Sequence, residues 1–401
     1  MTDVSTTPSV ARTSATAPAG VTAPRGFRAS GVAAGLKSDG RLDVAVVLND
    51  GPVTAAAGVY TRNRVHAAPV AWSRQVTARG SVRAVVLNSG GANACTGAQG
   101  HLDVAETVRT VVSALDVPAG EVAVCSTGLI GEHLPMPVLL SGVRRALGDA
   151  DVSGGASAAE AILTTDTVSK TATVCADGFR VGGMAKGAGM LAPALATMLV
   201  VLTTDAEADA VTLDDVLRRV VSRTFDRLDS DGCMSTNDTV LLLASGASGV
   251  APSADVLEAA VEQACADLVQ QLAADAEGAS KRIRVEVVHA ASEHDAVDVA
   301  RAVARSNLFK CAVHGEDPNW GRVLAAVGTT DAVFDPDQLD VAMNGVWVAR
   351  GGAAGEAREL VDLSGEHVHV VIDLHAGGDT ASVWTNDLTA DYVHENSAYS
   401  S

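Results

Sequence analysis

The sequence predicts an α/β layered architecture, and three observations carry the prediction. Strand-like and helix-like segments alternate through most of the 401 residues. Apolar residues make up 47% and charged residues 19%, the balance of a folded globular chain. Aromatics are only 3%, so the interior must be built from Val, Leu, Ala and Ile. The length suits one large domain or two ordinary ones.

In chain order, DVAVVLN from Asp43, AAAGVYT from Ala55 and VRAVVLN from Val82 are short, β-rich runs ended by polar or glycine-bearing turns. DVAETVRTVVSAL from Asp103 has the spacing of an amphipathic helix, and EVAVC from Glu121 returns as a strand. Helices are expected at 135–147 and 156–163. The middle holds strand ATMLVVLTT from Ala196, helix LDDVLRRVVSRTF from Leu213 and strand TVLLLAS from Thr239. A long helix from Ser253 to about Ala276 follows, then strand RIRVEVVHA from Arg282 and helix HDAVDVARAVARS from His294. From about Val323 the chain reads mostly as strands, including HVHVVIDL from His367 and ASVWTND from Ala381. There is no repeat of fixed period. A loose break near 280 separates a main portion, 25–280, from a smaller α/β portion, 281–401. The leader, 1–24, is rich in Ser, Thr, Ala and Pro, lacks the apolar stretch of a signal peptide and is expected to be disordered.

With 29 basic against 48 acidic side chains the net charge is −19, which excludes nucleic acid and anionic membrane as bulk partners. The longest apolar run, around Leu195 to Leu202, is too short to span a bilayer. A soluble, cytoplasmic protein is expected. Its six cysteines (95, 125, 175, 233, 265 and 311) are scattered, which reads as reduced, buried thiols. No phosphate-binding loop, dinucleotide fingerprint, H-E-x-x-H or G-x-S-x-G occurs, and the ten histidines form no ligand-spaced set. His367 and His369 share one face of a strand but read as surface, so no metal and no cofactor is expected. Lysine occurs only at 37, 170, 186, 281 and 310, so a lysine inside a motif draws notice.

The informative segment is KGAGMLAPALATMLVVLTTD, from Lys186 to Asp205. A glycine-rich turn leads through Pro193 to Ala196 and Thr197, where the apolar β run opens. An isolated Thr there would be an ordinary β-branched strand residue. The irregular approach, however, can strain the Ala196–Thr197 peptide, and small Ala196 leaves its carbonyl open to the Thr197 hydroxyl. Attack would shift the acyl chain from N to O, and hydrolysis of the ester would cut the chain. The freed α-amine of Thr197, with an ordinary pKa of about 7.7–8.0, then suits a base for its own hydroxyl.

This segment resembles the autocleavage site of the ornithine acetyltransferases, the glutamate N-acetyltransferase family of arginine biosynthesis. NSGGANACTG from Asn88, CSTGLIGE from Cys125, ILTTDT from Ile162, STNDT from Ser235, AEGASK from Ala276, DPNWGRV from Asp317 and ENSAYSS from Glu395 resemble that family in the same order. The coverage runs from about Gly26 to the last residue. The resemblance implies an α-β-β-α sandwich and a cut giving chains 1–196 and 197–401, which remain together as a heterotetramer of two of each. It implies ping-pong transfer of acetyl from N-acetylornithine to glutamate through Thr197, with acetyl-CoA as a possible co-substrate.

Carried over residue by residue, the resemblance makes Thr127 and Gly128 the oxyanion hole, through the Thr127 hydroxyl and the Gly128 N–H. Thr164, Lys186, Thr197, Glu277, Asn396 and Ser401 are the implied substrate-binding residues. Lys186 suits an α-carboxylate, and Glu277 suits the δ-ammonium of ornithine. Each has a plainer alternative: a strand-ending turn, a helix-terminal polar cluster, a solvated charge or a frayed chain end. Asp317, Asn319, Trp320, Asn237 and Asp238 read as structural. A self-processing N-terminal-Thr amidase or aminopeptidase is the alternative enzyme class, and a small-molecule-binding protein without activity is the non-enzymatic one.

Overall fold

The computed structural model describes residues 19–190 and 198–398. In chain order the first half contains β1 (Phe27–Val32), β2 (Val44–Asn49), β3 (Ala56–Tyr60), α1 (Ala68–Thr77), β4 (Ala84–Ser89) and α2 (Gly97–Leu115). It continues with β5 (Val122–Thr127), α3 (Met136–Gly148), α4 (Gly155–Ala161), β6 (Lys170–Cys175) and β7 (Arg180–Lys186). The second half begins with β8 (Leu199–Thr204), α5 (Ala210–Arg223), β9 (Thr239–Ala244), α6 (Ala254–Ala274), β10 (Arg282–Ala290) and α7 (Glu293–Ala304). Then come α8 (Asn307–His314), α9 (Trp320–Val327), β11 (Asp340–Met343), β12 (Val346–Arg350), β13 (Ala353–Ala354), β14 (His367–Asp373), β15 (Asp379–Asn386) and α10 (Ala390–Ala398).

Two sheets pack face to face. One has the order β1-β2-β4-β5 and the other β3-β9-β8-β7-β6. Between them lies a core that includes Phe27, Val47, Leu87, Met184, Val201 and Leu241. The outer face of the first sheet packs Val44, Val46 and Val86 against Val108 of α2 and Val143 of α3. The outer face of the second packs Val200, Leu202 and Leu242 against Leu217 of α5 and Leu268 of α6. The order is therefore helix, sheet, sheet, helix: the α-β-β-α sandwich. Because the central strands are covered on both faces, their sequences are continuous apolar runs rather than alternating ones.

A third sheet, β13-β12-β11-β14-β10-β15, follows at Arg282. Its strands do alternate: Ile283, Val285 and Val287 face α7, while Arg282, Arg284 and Glu286 lie on the other side. Helix α7 begins where Ser292 Oγ accepts from Asp295 N at 3.1 Å, a side-chain cap for an otherwise orphaned amide. The sheet joins the sandwich through β15, where Asp229 N donates to Trp384 O at 2.8 Å and Asn386 Nδ2 to Ala273 O at 2.9 Å.

The structure departs from the sequence-based expectations at several points. The leader does not extend to residue 24: Val21 is fully buried in the inter-sheet core, and Thr203 Oγ1 donates to its carbonyl at 2.9 Å. Gly182 on β7 makes room for this segment, since a Cβ there would lie 2.0 Å from Gly20 O. Residues 1–18 lie outside the described residues. Helix α2 starts at Gly97, six residues before the expected Asp103, because Gly97 and Gly100 weaken the helical signal of its first turn. The region after Val323 is not strand at once, since α9 runs to Val327, and the last described element is helix α10. The thiols are not all buried: Cys95, Cys175, Cys233 and Cys311 are exposed, while Cys125 and Cys265 are buried, and all six are free. Among the described residues no helix is long and apolar enough to cross a membrane.

Candidate active site

A cleft of about 670 Å³, its mouth included, opens where the two sandwich sheets meet the loop after α6. Thr127, Gly128, Thr164, Lys186, Glu277 and Asn396 all line it, together with Ser235, Thr236 and Asn237. Six residues spread over 270 positions of sequence thus converge on one space. Ala196, Thr197 and Ser401 lie outside the described residues, although Met198, next to Thr197, is buried at the foot of β8.

Thr127 is the last residue of β5 and is wholly buried. Its hydroxyl has no hydrogen-bond partner among the described residues, an unusual condition for a buried polar atom. Gly128 follows with φ 124°, and a Cβ there would lie 2.6 Å from Gly91 N, so no side chain fits. The turn is held from below: Gly91 N donates to Thr127 O at 3.1 Å and Ser126 Oγ to Asn88 Oδ1 at 2.6 Å. Asn237 completes the frame, its amide donating to Ala92 O at 2.6 Å and Ser126 O at 2.8 Å. The strand end therefore presents an unpaired hydroxyl on a rigid turn.

Lys186 closes β7 and is 1% exposed. Asp166, from the turn after Thr164, lies 3.7 Å from its ammonium and 2.7 Å from that of Lys170. The same carboxylate accepts from Gly187 N at 2.7 Å and Thr164 N at 3.2 Å, so it ties the threonine turn to the end of β7. Burial works to raise the Asp166 pKa, but the Lys186 and Lys170 ammonium groups outweigh it and hold the acid well below its ordinary range. Burial pulls Lys186 below its ordinary value, with Asp166 opposing. Lys170 also pairs with Asp275 at the end of α6, which links this buried charge cluster to the next loop.

That loop carries Glu277. Its amide donates to Ala188 O at 3.0 Å, and Asn396 Nδ2 donates to its Oε2 at 3.0 Å. Gly278 has φ 59°, and a Cβ there would meet Tyr392 N at 2.2 Å, so glycine lets α10 lie against the loop. Asp387 Oδ1 accepts from the amides of both Ser280 and Lys281, at 2.9 and 2.8 Å. The end of the chain thus returns to the cleft as far as Asn396.

Asn237 and Asp238, which read as structural in the sequence, lie at the site: Asn237 lines the cleft and Asp238 stands beside Met198. Asp238 is wholly buried; its Oδ1 accepts from Met198 N at 3.0 Å and its Oδ2 has no partner among the described residues. Burial pushes its pKa well above the ordinary value, although the Met198 amide opposes this. The signal in the sequence was a lone acid entering the apolar run of β9, where a charge has no reason to be.

The ArgJ family model matches residues 28–401. The Streptomyces avermitilis protein named arginine biosynthesis bifunctional protein ArgJ is 65% identical over 381 residues, covering 95% of this chain and 100% of that one. Its namesake from Thermobifida fusca is 62% identical over 380 residues, with 95% and 99% covered. A solved chain described as ornithine acetyltransferase complexed with ornithine, from Mycobacterium tuberculosis, is 56% identical. It covers 44% of this chain and 95% of its own, with a TM-score of 0.43. With a family match over nearly its whole length and relatives at this identity, the chain belongs to the ArgJ family.

Proposed function

We propose that the chain is an acetyltransferase of arginine biosynthesis, which cuts itself between Ala196 and Thr197 and then moves acetyl from N2-acetyl-L-ornithine to L-glutamate. Family membership supports the activity. The observation that carries the site is the buried, unpartnered Thr127 hydroxyl at the wall of a cleft that also holds Lys186 and Glu277.

In this mechanism the Thr197 α-amine takes the proton of its own hydroxyl, and the oxygen attacks the acetyl carbonyl. The Thr127 hydroxyl and Gly128 N–H donate to the oxyanion. Such preorganised donors act in a space where water does not compete. Collapse breaks the C–N bond, the proton passes to the departing ornithine amine, and acetyl remains on Thr197. The glutamate amine then attacks that ester, and Thr197 regains its proton as N-acetylglutamate leaves. Lys186 pairs with the α-carboxylate common to both substrates, Glu277 faces the ornithine ammonium, and Thr164, Asn396 and Ser401 complete the pocket. Acetyl-CoA would load Thr197 by the same attack, releasing the thiol. The proposed assembly is a cytoplasmic heterotetramer of two 1–196 and two 197–401 chains.

Denaturing intact-mass analysis of wild type beside Thr197→Ala tests the mechanism, together with acetyl transfer from N-acetylornithine to glutamate. The expected result is two fragments, 1–196 and 197–401, in an active wild type and one uncut, inactive chain in the variant. An uncut wild type that still transfers acetyl overturns the mechanism. Release of acetate at the same rate with and without glutamate favours the amidase instead.

A further inference from the structure

On the third sheet, β10 and β14 run parallel and end side by side, with Val288 opposite Asp373. Just past that point each chain passes through a left-handed histidine: His289 at φ 53° and His375 at φ 50°. Few non-glycine residues adopt this conformation, histidine more readily than most, and here it recurs at two adjacent strand ends. The holding contacts are visible. Ala376 N and Gly377 N both donate to His289 O, at 2.8 and 2.9 Å. Asp373, 7% exposed, stands between the two rings. Its Oδ2 lies 2.8 Å from His289 Nδ1, and its Oδ1 accepts from His375 N at 3.0 Å and lies 3.5 Å from His375 Nδ1. His375 Nε2 lies 3.2 Å from Asp340, whose carboxylate is itself fixed by Arg350 Nη1 at 2.9 Å and Gly351 N at 2.8 Å.

We propose that His289, Asp373 and His375 form a binding site for a divalent transition-metal cation of the zinc class. One donor atom from each of the three lies within 4.8 Å of the others. Two imidazoles and a carboxylate favour zinc, nickel or copper(II) over calcium or magnesium, which prefer all-oxygen sites. Asp340 supplies the outer carboxylate that receives Nε2–H and turns Nδ1 of His375 toward the cation. Both histidines are exposed on one side, so water completes the coordination. The nine residues of β10 separate this site from the loop bearing Glu277. At about 3.3 Å per residue that is a distance on the order of 25–30 Å, so the cation clamps two strand ends and takes no part in transfer.

Tag-free, chelator-treated full-length protein is titrated calorimetrically with zinc chloride and, separately, with calcium chloride. Thermal unfolding is followed with and without zinc. The expected result is one zinc ion per chain, a zinc-dependent rise in Tm and far weaker calcium binding. His289→Asn with His375→Asn keeps residues that tolerate positive φ and should remove this binding while leaving the metal-free Tm near that of wild type. Asp340→Asn, with the three ligands intact, should weaken it by about 10–100-fold, and His367→Asn should not change it. Absence of saturable zinc binding, equal affinity for calcium, or zinc binding that survives the double substitution each overturns the proposal.

Discussion

In the sandwich, β2, β4, β5, β8 and β9 are buried at every position, whereas β10 of the third sheet alternates buried and half-buried residues along most of its length. The two regions also place their charges differently. The sandwich encloses Lys170, Lys186, Asp166 and Asp238, each 5% exposed or less. The third sheet keeps Arg284, Glu286 and His369 on its wetter face, where they pair with one another. Enclosing a charge is costly unless partners surround it. The third sheet encloses Asp340 and Asp373 only at its strand ends, each against a histidine, whereas the sandwich gathers its enclosed charges into one lysine–aspartate cluster and a lone Asp238 beside the cleft.

The largest effect should come from Asp166→Asn, which leaves two enclosed ammonium groups facing a neutral amide. Unfolding in urea at pH 7 should show a loss of about 3–5 kcal/mol. The Asp166 pKa is held low in the fold, so its contribution is present above the unfolded value and fades as pH falls through the folded one. The gap between variant and wild type should accordingly close in acid, and a loss below about 1 kcal/mol at pH 7 would break the comparison. Thr127→Val should reduce kcat by about 10²–10³ with little change in KM. Its Tm should not fall, because the lost hydroxyl has no partner in the fold. A matching loss of Tm would make Thr127 a structural residue.

Asp238→Asn sharpens the contrast from the opposite sign. Its folded pKa is raised, so the folded state holds the proton more tightly than the unfolded one. Its presence therefore makes stability fall as pH rises from about 3.9 through the folded value. The amide variant, which still accepts from Met198 N, should lack that decline, as pH-dependent unfolding of the pair would show. The smallest effect belongs to the third sheet. Glu286→Gln loses half-exposed contacts to Arg284 and His369 and should change unfolding free energy by about 0.5 kcal/mol or less.

The same contrast governed what the sequence revealed. Continuous apolar runs such as AVVLN announced β2 and β4, and alternation announced β10 and β14. Strands β6 and β7 escaped, because Gly182 and Gly183 carry no side chain to pack and Thr171 and Thr173 interrupt the pattern. Helices α8 and α9 are eight residues each, too short for periodicity to separate them from loops. For the site, scarcity singled out Lys186, but only the resemblance singled out Thr127, Gly128, Thr164, Glu277 and Asn396. Nothing in their spacing says that β5, the turn after α4 and the loop after α6 meet. Asn237 reads as structural in the sequence, but its place at the cleft does not show there, because its two bonds to Ala92 and Ser126 exist only once the sheets have packed.

The pairing of β7 with β8, Lys186 opposite Leu199 through Val181 opposite Thr204, has a consequence for the order of events in the life of the protein. Under the proposed cleavage, the severed connection is the one between these two neighbouring strands, both interior to their sheet. While the chain is continuous, the strands find each other within one molecule. Afterwards the same ladder and the same inter-sheet core must be rebuilt between two molecules, and recovery from denaturation becomes dependent on concentration. Folding must then precede the cut, and the mature enzyme, once unfolded, would have lost the covalent instruction that first brought its halves together.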